Sequence, residues 1–541
     1  MTKSTCDILT TERDGRIFNF RPCLFAAFCT AVGIWLAYLI FRYSLSVWWC
    51  LSILPIGMLP YVVLKSKSSL IASAGLTLAF LIGVCGMTIQ LRSYTSAPVF
   101  TDTVTVVGQV TKLEFDGGVT LDKLSINGEQ IDGKLFFKYD GEEIRLSDLV
   151  RVRGKVSTNN ALWELSGETA SNVVANIRFG LSGIENVESI GRRFDLFLLI
   201  RERMTEAIYR GMDESAAAVT VALTMGDTSG IEKELLENVR FGGIGHIFAV
   251  SGLHVGALYA FCRWLSSLER FREKRGFWFV FIALILFGYC GICGFSSSVT
   301  RAFVMCMTVH MTKLIGIKTD TLENTGVAAC ILFLIRPATL FETGFQLSFA
   351  ACLSIGVFSN SITRGLEGVI QSIVSRYAKE KKETSRWSNG FLPPSYWQQS
   401  LSKFLSLLAV TLGAQVLPMP ILFHTFGYVS PWGLFLNLLI VPLISAAFSI
   451  ILATVVVASV FPTLSGGLLY LVELFVTAIT LPFEYGIFEV SGLFAGSGVF
   501  AALAYYVIVL NLSEKSNVSR SLKKLIAILF FLIFLFSLIF S

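Results

Sequence analysis

About thirteen apolar runs, most of them near the length of one bilayer crossing, decide what this chain can fold into. They lie at about 22 to 41, 45 to 64, 70 to 91, 243 to 262, 277 to 293, 299 to 316, 322 to 335, 342 to 359, 404 to 424, 431 to 460, 464 to 482, 497 to 512 and 523 to 541. A hydrocarbon core about 30 Å thick takes roughly 20 residues of helix, and in lipid each backbone polar group must be satisfied within the segment. The fold class expected is therefore a polytopic α-helical membrane protein. With 54% hydrophobic and 15% charged residues among 541, no soluble globular class fits. The run from Pro22 is too long for a cleaved signal core and reads as a retained first span. The short run at 322 to 335 and the long one at 431 to 460, which holds Asn437 and Pro442, mark where broken or re-entrant helices are expected.

Between the third and fourth runs the text changes character. From Pro98 to Gly180, β-branched and alternating segments such as Val104 to Val110, Lys134 to Tyr139 and Leu149 to Val156 are punctuated by Asp116-Gly-Gly118, Asn127-Gly128, Asp132-Gly133 and Asp140-Gly141. Short strands joined by tight turns predict a small β-barrel resembling an OB-fold, a β-domain with no Cys to staple it. It carries nine bases and twelve acids, so any phosphate-binding surface must be local. Arg151, Arg153 and Lys155 alternate along one strand and form the one candidate patch for DNA contact, a solvated strand face being the other reading. Gly191 to Gly211 then reads as an amphipathic helix at the membrane surface, with Phe197, Ile200, Met204 and Ile208 on its apolar face and Arg201, Glu202, Glu206 and Arg210 elsewhere.

Loop charge orients the spans. The net charge of +6 is mild for this length, but Arg263 to Arg275, Arg364 to Lys403 and Lys515 to Lys524 concentrate basic residues in three loops that alternation places inside. This gives a multi-pass membrane protein with a cytoplasmic N-terminus and an extracytoplasmic β-domain. Four domains follow: about three transmembrane helices in 1–97, the OB-like domain in 98–180, amphipathic or interfacial helices in 181–240, and a bundle of about ten spans in 241–541.

No Gly-x-x-x-x-Gly-Lys-Ser/Thr loop occurs, so the chain is not its own motor. Four His without a dense His/Asp cluster predict no metal site, no cofactor and no metal-dependent hydrolase. The pair in Cys290-Gly-Ile-Cys293 lacks the βαβ context of a redox motif and reads as core packing. The passage Gly242-Gly-Ile-Gly-His-Ile-Phe-Ala-Val-Ser-Gly-Leu-His-Val-Gly256 puts two His, a Ser and five Gly into an apolar run. Read as one helix at about 100° per residue, it places His246, Ser251 and His254 on one stripe. That stripe suits close packing by small residues, the lining of a polar path, or a Ser251–His254 nucleophile pair without an orienting acid. Arg301, just inside a span, together with Asp227, Glu342, Gln346, Gln415 and Asn437 argues for a hydrated interior, and a cation there suits an anionic passenger.

Ala222-Leu-Thr-Met-Gly-Asp227, Gly245 to Val255, Phe295-Ser-Ser-Ser-Val-Thr-Arg-Ala302, Phe345-Gln-Leu-Ser-Phe349, and Phe426-Gly with Asn437 and Pro442 resemble, in that order, the competence region of the ComEC family of DNA-uptake channels. The resemblance implies an OB-like domain after the first spans and a channel passing single-stranded DNA into the cytoplasm during natural transformation. It assigns His246, Ser251, His254, Arg301, Gln346 and Asn437 to the pore, and Asp227, Gly242, Gly252 and Glu342 to its structure and entrance. Implied partners are single-stranded DNA, an outer DNA receptor protein, a cytoplasmic ATPase or single-strand-binding protein, a separate nuclease and a second copy in a homodimer. Many relatives continue into a metallo-β-lactamase-like domain; the sequence at hand ends in an apolar run at Ser541, and no nuclease or other enzymatic role is carried over. The rival readings are a membrane-embedded serine/histidine hydrolase and a small-solute secondary transporter, the latter without a visible pair of inverted broken helices.

Overall fold

The computed structural model describes residues 21–45, 67–98, 100, 103–113, 117–139, 144–158, 167–248, 250–267, 275–316, 320–384, 395–426, 428–430, 432–462, 466–486, 493–494, 505–506 and 509. The apolar runs expected at 45 to 64 and 523 to 541, and most of 497 to 512, lie outside them. The protein is a polytopic helical membrane protein carrying a small β-barrel. Among the described residues five helices are long and apolar enough to cross a membrane, or six if the bent pair Leu401–Val416 and Met419–Phe426 counts as one span. Among the described residues Glu214–Met225, Gly276–Ile292 and Thr321–Ile335 are shorter apolar helices, too short alone for a crossing of about 30 Å; the first lies outside the apolar runs read from the sequence.

Two compact units divide the chain: 22–345 with 440–490, and 1–21 with 346–439 and 491–541. The first opens with α1 (Pro22–Arg42) and α2 (Lys67–Thr95). Proline at the head of α1 needs no N–H partner there. Helices α1 and α2 cross where glycine meets backbone: a Cβ on Gly33 would sit 2.3 Å from the Phe80 carbonyl oxygen, and one on Gly83 2.2 Å from that of Thr30. Without a hydrophobic drive between helices in lipid, such close backbone approach supplies the packing.

The barrel follows, with β1 (Thr103–Leu113), β2 (Gly118–Ile126), β3 (Glu129–Ile131), β4 (Lys134–Lys138), β5 (Asp148–Thr158), α3 (Gly167–Ala175) and β6 (Ile177–Arg192). Strand order β1-β5-β6-β4-β2 closes through a β1–β2 pairing, with β3 hanging from β2. Only β4 and β6 run parallel. Asn127 and Gly128 both take positive φ, 51° and 91°, in the two-residue turn that joins β2 to β3. Val106, Val110, Leu121, Leu135, Val150 and Val152 are all fully buried in the barrel core. Strand β6 continues past the expected boundary at 180 to Arg192. Its second half alternates poorly, yet it pairs with β5 as far as Asp148 opposite Arg192; strand pairing, not pattern, extends it.

Helix α4 (Leu196–Gly211) starts at Asp195, whose carboxylate accepts from the Phe197 and Leu198 N–H groups at 3.0 and 3.3 Å. Then come α5 (Glu214–Met225), α6 (Lys233–Phe241), α7 (Gly245–Phe248), α8 (Gly252–Ser267), α9 (Arg275–Ile292), α10 (Ser297–Ile315), α11 (Thr321–Ile335), a 3-10 turn Pro337–Phe341 and α12 (Thr343–Thr384). The list ends with α13 (Ser395–Val416), α14 (Met419–Phe426), β7 (Tyr428–Val429), α15 (Gly433–Val460), α16 (Gly466–Glu484) and β8 (Leu493–Phe494). The apolar face of helix α4 is buried against protein: Leu198, Arg201, Met204, Ala207 and Ile208 are covered. Its apolar stripe is covered by its neighbours, with Phe197 edge-on to Phe287 and Gly211 seated on Leu469. The long run around Pro442, expected to break, forms the single helix α15.

In the other unit the chain breaks instead between α13 and α14, which meet at 53°. Pro418 contributes no N–H and biases Leu417 away from helix. The freed groups are satisfied: the Val416 and Leu417 carbonyls accept from Tyr505 and Tyr506 at 2.9 and 3.0 Å, and the Leu417 N–H donates to the Ser354 hydroxyl at 3.1 Å. That is the condition for a broken helix at membrane depth.

Candidate functional site

The Gly-rich passage is not one helix. Gly243 takes φ 78°, and the Ile244 N–H reaches back to the Val239 carbonyl at 3.2 Å, which ends α6 in a left-handed cap. One short turn, α7, follows before Ser251 starts α8. His246 and Ser251 are therefore not on a stripe with His254, because the helix stops and restarts between them. His246 is exposed on α7, His254 is fully buried in α8, and Gly242 is the buried cap residue of α6.

Ser251 and His254 are nevertheless joined, as a capping pair. The Ser251 hydroxyl accepts from the Leu253 N–H at 3.3 Å, and His254 Nδ1 accepts from the Ser251 backbone N–H at 3.1 Å. This is the reciprocal arrangement of a capping box, with histidine in the place usually held by glutamate or glutamine. Acceptance at Nδ1 puts the ring proton on Nε2, which is buried and has no hydrogen-bond partner among the described residues. Phe448 stands edge-on to this ring at 4.7 Å between centroids. A general base needs its accepting nitrogen for the serine proton and an acid behind it. Here the nitrogen facing Ser251 also accepts from a backbone N–H, and the other has no partner among the described residues.

Arg301 lies on the first turns of α10 and is 3% exposed. It donates to the Ser297 hydroxyl at 2.7 Å, Ser297 donates in turn to Glu342, and the guanidinium stands 3.6 Å from the Glu342 carboxylate. The spacing of Ser297 and Arg301, one helical turn apart, builds this cluster on one helix face. Gly344 admits the guanidinium, since a Cβ there would come within 3.3 Å of it. Gly252, at the head of α8, packs against Ala302 of α10.

A second buried pair escaped the sequence reading. Arg201 donates to Asp227 at 2.8 Å, and Asp227 also accepts from the backbone and hydroxyl of Ser229 at 3.1 and 2.5 Å. Arg201 occupies the same helix face as Leu198, Met204 and Ile208, and a charge inside an apolar stripe was the available signal. Also unforeseen were Asn238, whose amide donates to the Phe483 carbonyl at 3.0 Å, and Tyr289, whose hydroxyl donates to the Thr224 backbone carbonyl at 2.9 Å. The Cys290 and Cys293 thiols are free, buried, and point to the carbonyls of Val299 and Thr224.

Gln346 and Asn437 fall in the other unit, half-buried on α12 and α15, with the Asn437 side-chain oxygen buried and unbonded among the described residues. No group of three or more metal-ligating side chains occurs among the described residues. On the barrel, Arg151, Arg153 and Lys155 do project together from β5. Arg151 stands 3.5 Å from Glu188 and Arg153 3.4 Å from Glu185, both on the extension of β6. These exposed pairs lower the local positive potential on which a phosphate contact depends.

The competence protein family model matches residues 223–513, more than half of the chain, and spans the broken helix, the Arg301 cluster and α12 to α16. ComE operon protein 3 of Bacillus subtilis is 29% identical over 228 residues, 42% of this chain and 24% of that protein. An uncharacterized protein of Mycoplasma pneumoniae is 30% identical over 131 residues, 24% of this chain and 33% of its own. The chain thus spans a quarter to a third of the length of these relatives, and no solved structure matches it. On the strength of the family match, carried by the same motifs that resemble the ComEC channels, the chain belongs to the competence protein family.

Proposed function

We propose that this protein takes part in DNA uptake and conducts single-stranded DNA across the cytoplasmic membrane, inward, with the barrel on the outer side. The observation that carries this reading is that the matched region holds Arg301 with Ser297 and Glu342, and Asp227 paired to Arg201 from the helix just before it, inside an apolar helical bundle where a charge is costly unless paired or functional. His246, Ser251, His254, Arg301, Gln346 and Asn437 are proposed to border the path, with Asp227, Gly242, Gly252 and Glu342 holding its walls. Because Arg301 is buried and ion-paired, its part is to hold Glu342 and the start of α10 in place. Force comes from outside the chain, from a cytoplasmic ATPase or from single-strand-binding protein trapping the strand, with an outer receptor delivering DNA.

The test is nuclease protection of labelled single-stranded DNA by proteoliposomes loaded with single-strand-binding protein. Wild type should protect single strands above empty vesicles and should leave duplex unprotected. Arg301→Gln should lose protection at unchanged reconstitution yield, and Arg301→Lys should keep part of it. No protection by folded wild type, with or without an added ATPase partner, would refute the conduit.

A further inference from the structure

The patch of Arg151 and Arg153 is largely ion-paired, but the barrel offers another surface. Between β4, β6 and the end of β5 runs an open groove of about 520 Å³. Its floor is Gly180, which lies directly opposite Phe136 in the parallel pairing and opposite Ser157 in the antiparallel one. With Leu135 and Phe137 fully buried in the core, strand alternation turns Phe136 outward, half-exposed, into this groove. Lys138 lines one end, and the hydroxyl-bearing Ser157 and Ser182 line the side. Lys155, exposed on β5 and opposite Ser182, stands at the margin. Among the described residues no carboxylate lines the groove.

The outward ring of Phe136 offers a face to a flat base, and Gly180 beside it adds no side chain of its own; a Cβ there would press on the Ser157 hydroxyl at 3.0 Å. Lys138 on β4 and Lys155 on β5 stand on the two strands that flank β6, roughly two strand spacings of about 4.8 Å apart, which suits the spaced charges of an extended polyanion, and hydroxyls can donate to phosphate or base edges. Stacking platforms flanked by cations are how single strands are held without sequence preference. We propose that this groove binds single-stranded DNA, a base stacking on Phe136 with the adjoining phosphates on Lys138 and Lys155. The inference rests on the reading of the chain as a single-stranded DNA conduit and places its outer contact on the β4–β6 face, not on the β5 arginines.

The test uses the full-length protein in detergent and a fluorescein-labelled oligothymidylate followed by anisotropy, together with an abasic strand of equal length and a 4-thiothymidine strand for photocrosslinking. Phe136→Ala should weaken binding of the thymidylate about tenfold, the range of one lost base stack, and leave binding of the abasic strand unchanged. Phe136→Tyr should bind as wild type does, which separates stacking from damage to the barrel. Lys138→Gln with Lys155→Gln should lower the slope of log affinity against log salt by about 1.4, from two phosphate contacts at ~0.7 each. Arg151→Gln with Arg153→Gln should move it less. The crosslink should map to the peptide containing Phe136. Equal affinity in wild type and Phe136→Ala, or a crosslink confined to the helical bundle, would overturn the groove. If vesicles still protect the strand in that case, the conduit stands without it; if folded wild type neither binds nor protects single strands, both fail.

Discussion

At the residue scale, the chemistry of this protein lies in side chains that are charged or polar yet buried, several of them with a specific partner. Arg201 and Asp227 illustrate the energetics: a buried pair adds little over an apolar replacement, whereas removal of one member strands the other. Arg201→Met should therefore destabilise the protein by about 3–5 kcal/mol in chemical denaturation, and Arg201→Met with Asp227→Leu should recover most of that loss. A double variant as unstable as the single one would mean that Arg201 acts through some other contact. The Ser251–His254 pair makes a different prediction, because its hydrogen bonds cap a helix. Ser251→Ala should cost about 1 kcal/mol of stability and leave labelling by a fluorophosphonate unchanged. Labelling of wild type that vanishes in the variant would restore the hydrolase reading.

At the element scale, helix crossings depend on where a Cβ is absent. Gly83 and Gly75 lie on the same helix, α2, but only Gly83 faces a backbone carbonyl at 2.2 Å, while a Cβ on Gly75 would meet nothing within 4 Å. Alanine at the two positions should act with opposite sign. Gly83→Ala pushes α1 away and should lower the melting temperature, whereas Gly75→Ala gains helix propensity of up to ~1 kcal/mol and should hold or raise it. Equal shifts in thermal scans of the two variants would show that the crossing at Thr30 yields without strain. Stops within the bundle follow the same logic of backbone satisfaction. Gly243 ends α6 by a left-handed cap, and Pro418 ends α13 with its carbonyls handed to Tyr505 and Tyr506.

At the scale of the larger unit, the barrel is a separate core held to the helices by a few strong contacts. Arg178 donates to the Ser93 carbonyl at 3.1 Å and pairs with Asp132 at 3.0 Å, Tyr94 donates to the Ile177 carbonyl at 2.5 Å, and Arg336 donates to the Val174 carbonyl at 2.9 Å. On the far side Arg192 bridges Asp148 of β5 to Glu202 of α4, at 2.9 and 2.8 Å. Since the barrel has a continuous hydrophobic core of its own, Arg178→Met should loosen the docking without unfolding the barrel. Hydrogen exchange should then speed up at Ile177 and around Ser93 while Val106 and Leu121 stay protected. Faster exchange throughout β1 and β2 would instead make Arg178 part of the barrel's own stability.

The sequence alone determined the features that depend on local chemistry: apolar runs long enough to demand helices in lipid, alternating strands with Asn-Gly and Asp-Gly turns that demand a small barrel, and the ordered motifs from Ala222 to Pro442 that led to the family. These follow from solvent and backbone geometry acting over a few residues at a time. Only the tertiary structure decided where the Gly242–Gly256 passage breaks, because helix caps depend on which distant surfaces compete for Gly243 and Ser251. It also turned Arg201 inward to Asp227 and drew the tail of β6, with Glu185 and Glu188, alongside the arginines of β5. A partner 26 residues away, as for Arg201, or 245 away, as for Asn238 and Phe483, leaves no trace in local pattern. Buried polar groups are placed by such distant partners, since burial is tolerated only where the fold itself delivers the hydrogen bond.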